Sequence, residues 1–146
     1  LTRENDSFTE RIKIGKMANK SKAKLMVSIH RNKAEDKSAQ GVEVFLPMDN
    51  NEESRYLGNQ IMKQLHKEGF TKRRIRAGTL VSKEHEYDEL SKNKMPSCLV
   101  ELGFISNKHD NRLFDNNLKG NAKAMAKAIE NTYSHYYEKD KNSDEK

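Results

Sequence analysis

At 146 residues the chain fits one domain, whose closed core would bury about two-thirds of the unfolded surface. A hydrophobic fraction of 34% and a mean hydropathy of −1.05 are low, yet the apolar residues gather in short runs, LMVSI at 25–29, VEVF at 42–45 and CLVEL at 98–102, which excludes a disordered chain. The net charge of +6 is spread along the chain apart from the cluster Lys72, Arg73, Arg74 and Arg76; no aromatic residues interleave with that cluster and no nucleic-acid-binding motif surrounds it, so a nucleic-acid partner is not expected.

Ser7-Phe8-Thr9-Glu10 has the spacing of a capping box and predicts a helix from there to about residue 20, with Phe8, Ile12, Gly15 and Ala18 on one face. Residues 25–29 leave no room for a helix and contain Val and Ile, so they read as a buried strand closing at His30. A polar loop over 31–40 leads to a second strand at 42–46, ended by Pro47.

Leu57, Ile61 and Leu65 recur at helical spacing before Gly69, a natural position just past a helix end, and predict a surface helix over about 53–67. Residues 79–82 suggest a short strand. Residues 97–102, after Pro96, form the most apolar one.

Leu118, Ala122, Met125, Ile129, Tyr133 and Tyr136 give the strongest helical period in the chain and predict a long C-terminal helix. Residues 138–146 hold no apolar side chain and should form a solvated tail beyond one domain at 1–137. Strands alternating with helices imply an α/β fold, a mostly parallel or mixed central sheet with buried strands and helices on both faces.

The lone Cys98 excludes an internal disulfide and, inside an apolar run, reads as a small buried hydrophobe. No transmembrane run or signal peptide is visible, and a start at Leu1 is expected to fall in mid-domain.

In open α/β sheets the functional site lies beyond the carboxyl ends of the strands. His30 closes one strand there and Glu101 interrupts the apolar run of another. A buried carboxylate must be paired, protonated, near a metal or at a strand end reaching solvent, and for Glu101 alone a structural ion pair is a readier explanation than catalysis. A histidine at a strand end is, taken alone, more often a hydrogen-bonded core residue than a ligand. Taken together, an imidazole to hold a metal and a carboxylate to take a proton from water are the minimum set for metal-assisted hydrolysis. His66, His85, His109 and His135 form no metal-binding pattern and read as surface residues.

The stretches LTRENDSF at 1–8, ERIKIGKMAN at 10–19, MVSIHRN at 26–32, GVEVF at 41–45 and MPSCLVELGFISNKHD at 95–110 resemble, in this order, the zinc-dependent N-acetylmuramoyl-L-alanine amidases. The resemblance implies a cell-wall hydrolase that cleaves the amide between N-acetylmuramic acid and L-alanine of peptidoglycan by zinc-assisted attack of water. It implies that His30 is a metal ligand for Zn2+ and that Glu101 is the catalytic base and acid. The family's other two ligands, a histidine and a glutamate upstream of the LTR motif, have no counterpart in this chain, and neither do its first strand, its first helix and most of its second strand. The resemblance further implies an extracytoplasmic site of action, with membrane-bound or lipoprotein activators among the partners and spore-cortex amidases, autolysins and phage lysins among the relatives. Because the chain supplies a single recognised ligand, a catalytically inactive wall-binding or scaffold module of the same fold is the alternative expectation.

Overall fold

The structure, a computed structural model, describes residues 1–2, 5 and 7–138. Among these, helix α1 (Arg11–Lys20) precedes strands β1 (Met26–Asn32) and β2 (Val42–Leu46), helix α2 (Glu52–Lys67), and strands β3 (Lys72–Ala77) and β4 (Ser97–Phe104). Helices α3 (Lys108–Asn116) and α4 (Leu118–Tyr133) complete the order, with a π-helical stretch over Ser134–Glu138. The tail expected over 138–146 lies, apart from Glu138, outside the described residues.

The four strands form one sheet in the order β1-β4-β2-β3. β1 runs parallel to β4 and β2 parallel to β3, while β2 and β4 are antiparallel. The sheet is therefore mixed, as the α/β expectation allowed. Side chains alternate across it. Val42, Val44, Leu46, Cys98, Val100 and Leu102 point to one face, where Leu57, Ile61 and Leu65 of α2 and Ala124, Met125 and Ala128 of α4 close the main core. Phe45 and Leu99 point to the other face and meet Leu90 and Tyr87 from the segment joining β3 to β4. Helix α1 lies against that same segment.

Several expectations need correction. The helix begins at Arg11, with Glu10 as its N-cap and no side-chain capping bond, so the spacing at 7–10 does not set its start. β1 is an edge strand and is not buried on both faces; Ile29 is 59% exposed. β3 falls on the basic cluster at 72–76 and not on 79–82, because its arginines reach back over the sheet and leave only Ile75 and Ala77 packed on the core. The C-terminal helix forms, with Met125 and Ile129 on the core as expected, but its inward face also carries Asn121, Ala124, Ala128 and Thr132, of which the two alanines let α4 lie close to α2, whereas Leu118 is 60% exposed. Helix α3 was not foreseen; it is opened by the Asn107 side chain, which accepts from the amides of His109 and Asp110.

Candidate active site

His30 and Glu101 are direct partners in the parallel β1–β4 ladder, three residues or fewer from the carboxyl ends of their strands. Neither closes its strand, as the sequence suggested, since β1 continues to Asn32 and β4 to Phe104. The equal register matters more than the ends, because it puts both side chains on the same face of adjacent strands. That face is the one opposite α2 and α4.

Two further carboxylates share it. Glu43 of β2 is the antiparallel partner of Glu101 and is fully buried. Its Oε1 receives Arg73 Nε at 3.0 Å and Arg74 Nε at 2.8 Å, and its Oε2 accepts from Asn32 Nδ2 at 2.8 Å. Glu89, from the segment between β3 and β4, is 1% exposed and places Oε1 3.2 Å from His30 Nε2. Ser28 Oγ lies 3.1 Å from the same ring nitrogen.

The electrostatics separate these groups. Glu101 titrates above the usual carboxylate range, chiefly because burial penalises its charge; His30 opposes this, and the Glu43 and Glu89 carboxylates add to it. Among the described residues its Oε2 is buried without a hydrogen-bond partner. His30 is raised above an ordinary imidazole, first by its hydrogen bond to Glu89, and Glu89 is lowered by the same bond. A cleft of about 520 Å³ opens beside His30 and Glu89 and is also lined by Thr9, Arg11 and Ser28; Glu101 and Glu43 do not line it.

An imidazole next to carboxylate oxygens that lack partners, Oε2 of Glu101 and Oε2 of Glu89, is an N and O donor set of the kind zinc takes. Among the described residues no group of three or more His, Cys, Asp or Glu is gathered to hold a metal. The donor types thus suit zinc, while their number does not complete a four-ligand shell. Of the remaining histidines, His66 hydrogen-bonds the Phe70 carbonyl through Nδ1 and His135 stacks on Tyr56.

Sequence reasoning missed Glu43 and Glu89. Glu43 carried the same signal as Glu101, a charge inside an apolar run. Glu89 sits in the polar stretch 83–94 and carried none.

No curated protein sequence matches the chain significantly. Solved structures do. The catalytic domain of CwlV, an N-acetylmuramoyl-L-alanine amidase from Bacillus (Paenibacillus) polymyxa var. colistinus, is similar at 27% identity and a TM-score of 0.72, with 94% of this chain and 70% of that one covered. AmiC2, an N-acetylmuramoyl-L-alanine amidase of Nostoc punctiforme, is similar at 26% identity and a TM-score of 0.74, over 88% of this chain and 68% of that one. The CwlD amidase from Clostridioides difficile, solved in complex with the GerS lipoprotein, is similar at 26% identity and a TM-score of 0.74, over 91% and 74% of the two chains. A family profile described as N-acetylmuramoyl-L-alanine amidase matches residues 1–131. With that match spanning nearly all of the described fold, the chain belongs to the N-acetylmuramoyl-L-alanine amidase family of peptidoglycan hydrolases.

Proposed function

We propose that this chain serves the family's hydrolysis of the muramoyl–L-alanine amide through Glu101 as proton carrier and His30 as one ligand of a zinc ion. The supporting observation is their pairing in register on adjacent parallel strands, with Glu101 Oε2 buried and unpartnered beside the imidazole. Zinc held there supplies Lewis-acid polarisation of the scissile carbonyl and acidity to the attacking water.

The protein's own part is proton transfer. Burial and two neighbouring carboxylates raise Glu101 above an ordinary carboxylate, which favours the proton it accepts from water and later gives to the departing amine of L-alanine. His30 stays in place through the bonds at its Nε2. The site of action is then outside the cytoplasm, where peptidoglycan is exposed. The GerS complex of the Clostridioides difficile relative makes a lipoprotein activator a fitting partner class.

Glu101→Gln keeps the side-chain shape and removes the proton acceptor. Release of stem peptides from purified peptidoglycan is expected to fall by about 10²–10⁴-fold with an unchanged circular dichroism spectrum. Activity within tenfold of the parent refutes the role. Zinc content of the purified protein decides the second reading: no bound zinc together with no hydrolysis supports a non-catalytic wall-binding or scaffold module.

A further inference from the structure

We propose that Glu89 is the positioning residue of His30, accepting the Nε2–H of the imidazole and leaving Nδ1 as the ring nitrogen with a free lone pair. The inference deepens the reading of His30 as a metal ligand and rests on it for its purpose.

An ionised carboxylate only accepts hydrogen bonds, so a neutral imidazole that bonds to it must carry its proton on the bonded nitrogen. Glu89 Oε1 lies 3.2 Å from Nε2, and Ser28 Oγ, which accepts as readily as it donates, lies 3.1 Å from the same atom. Both neighbours gather on Nε2, and among the described contacts Nδ1 has none. Metal-binding histidines commonly use this arrangement, one nitrogen on a carboxylate and the other on the metal, which fixes the ring and raises its basicity.

Glu89 is built to stay where it is. Tyr87 packs edge-on against Phe45 with ring centroids 5.2 Å apart, and Leu90 is buried with Phe45 and Leu99, so residues on both sides of Glu89 are anchored to the sheet. From above, α1 presses on the same segment: a Cβ at Gly15 would lie 3.1 Å from the Glu89 carbonyl and 2.9 Å from Asn93 Oδ1, a space only glycine leaves open. Asn19 of α1 binds the segment again by accepting from the Lys94 amide at 2.9 Å. Glu89 plays no part in the proton transfer assigned to Glu101, yet it is nearly inaccessible and keeps Oε2 unpartnered. Burying such a group without a task is costly, and holding His30 is a task its geometry performs.

The test reads the ring itself. In the zinc-free chain, at a pH where the imidazole is neutral, the nitrogen-15 shifts of His30 are expected to show a protonated Nε2 and a bare Nδ1. Glu89→Gln retains an oxygen acceptor and should keep that tautomer; Glu89→Leu should let the two tautomers mix. A parent chain with the proton on Nδ1, or a tautomer unmoved in Glu89→Leu, overturns the proposal. Zinc affinity, measured by competition with a chromophoric chelator, is expected to fall roughly 10–100-fold in Glu89→Leu and less in Glu89→Gln. If Glu89→Gln loses zinc as fully as Glu89→Leu while keeping the tautomer, Glu89 is a direct ligand and the positioning role fails. A parent that binds no zinc leaves the nitrogen shifts alone to decide what Glu89 does to the ring.

Discussion

Glu43 and Glu101 are direct partners across the antiparallel β2–β4 ladder, yet among the described residues only Glu43 is matched by arginines, with Arg73 and Arg74 both on its Oε1. Two carboxylates facing each other on one buried face repel, and the two guanidinium groups supply Glu43 with opposite charge. Each guanidinium is about one-third exposed, so removing one leaves the other in place at a cost of about 1 kcal/mol. Removing both strands a fully buried charge. The double variant Arg73→Ala/Arg74→Ala is expected to lose about 3–5 kcal/mol in urea denaturation, more than the two single losses combined. Additive single effects would show that Glu43 does not depend on the pair.

The unpaired partner should betray itself in stability. Glu101 has a folded pKa above its ordinary value of 4.5, so the folded state holds its proton more tightly than the unfolded state does. That contribution is fully present below the unfolded value and is lost as pH rises through the folded one. Glu101→Gln, which imitates the protonated form, should therefore match the parent near pH 4 and become the more stable protein above neutrality, measured without zinc. A parent that is more stable than the variant at pH 8 would mean that the carboxylate has a compensating partner.

The core of the fold and half of this site were legible because both depend on runs of apolar residues. Glu101 stands out since a charge inside CLVEL has to be explained, and His30 since it follows LMVSI. Glu43 sits in VEVF with equal clarity and was passed over, because nothing in the sequence says that Arg73 and Arg74 return to it across the sheet. The same arginines concealed β3: a strand whose side chains serve a buried carboxylate looks like a basic surface cluster. Glu89 was invisible for another reason. Its burial comes from Gly15 of α1 and from the sheet residues Phe45 and Leu99, on which its neighbours Tyr87 and Leu90 pack; these contacts join segments far apart in the chain, and the stretch around Glu89 is otherwise polar. On α4 Met125 and Ile129 meet the core as their spacing suggests, but Leu118 and Tyr133 do not, because size was read as burial where close packing against α2 selected Ala124 and Ala128.

Cys98 lies in β4 with no exposure, and burial pushes its thiol far above the ordinary range. Thiolate is the reactive form, so the native chain should not react with a thiol reagent at pH 8. Reaction is expected only as the protein opens, at a rate that follows urea concentration. Rapid labelling of the native protein would place β4 in a less buried setting and with it the environment of Glu101.

Asp110 holds the rim on which Glu43 and Glu101 depend. Its Oδ2 accepts from the Gly41 amide and from the Phe104 amide, both at 2.8 Å, and the residue is fully buried at the start of α3. One carboxylate oxygen thereby ties the residue before β2 to the last residue of β4. Gly103, at φ +71°, permits this, since a Cβ there would lie 3.0 Å from Asp110 Cβ, Cγ and Oδ2. Charge-assisted bonds to two buried amides make Asp110→Ala an expected loss of about 3 kcal/mol. Hydrogen exchange separates this from a general loosening: protection should fall first at the amides of Gly41 and Phe104 while α2 and α4 stay protected. Uniform loss of protection along the chain would mean that Asp110 supports the whole core and not this rim.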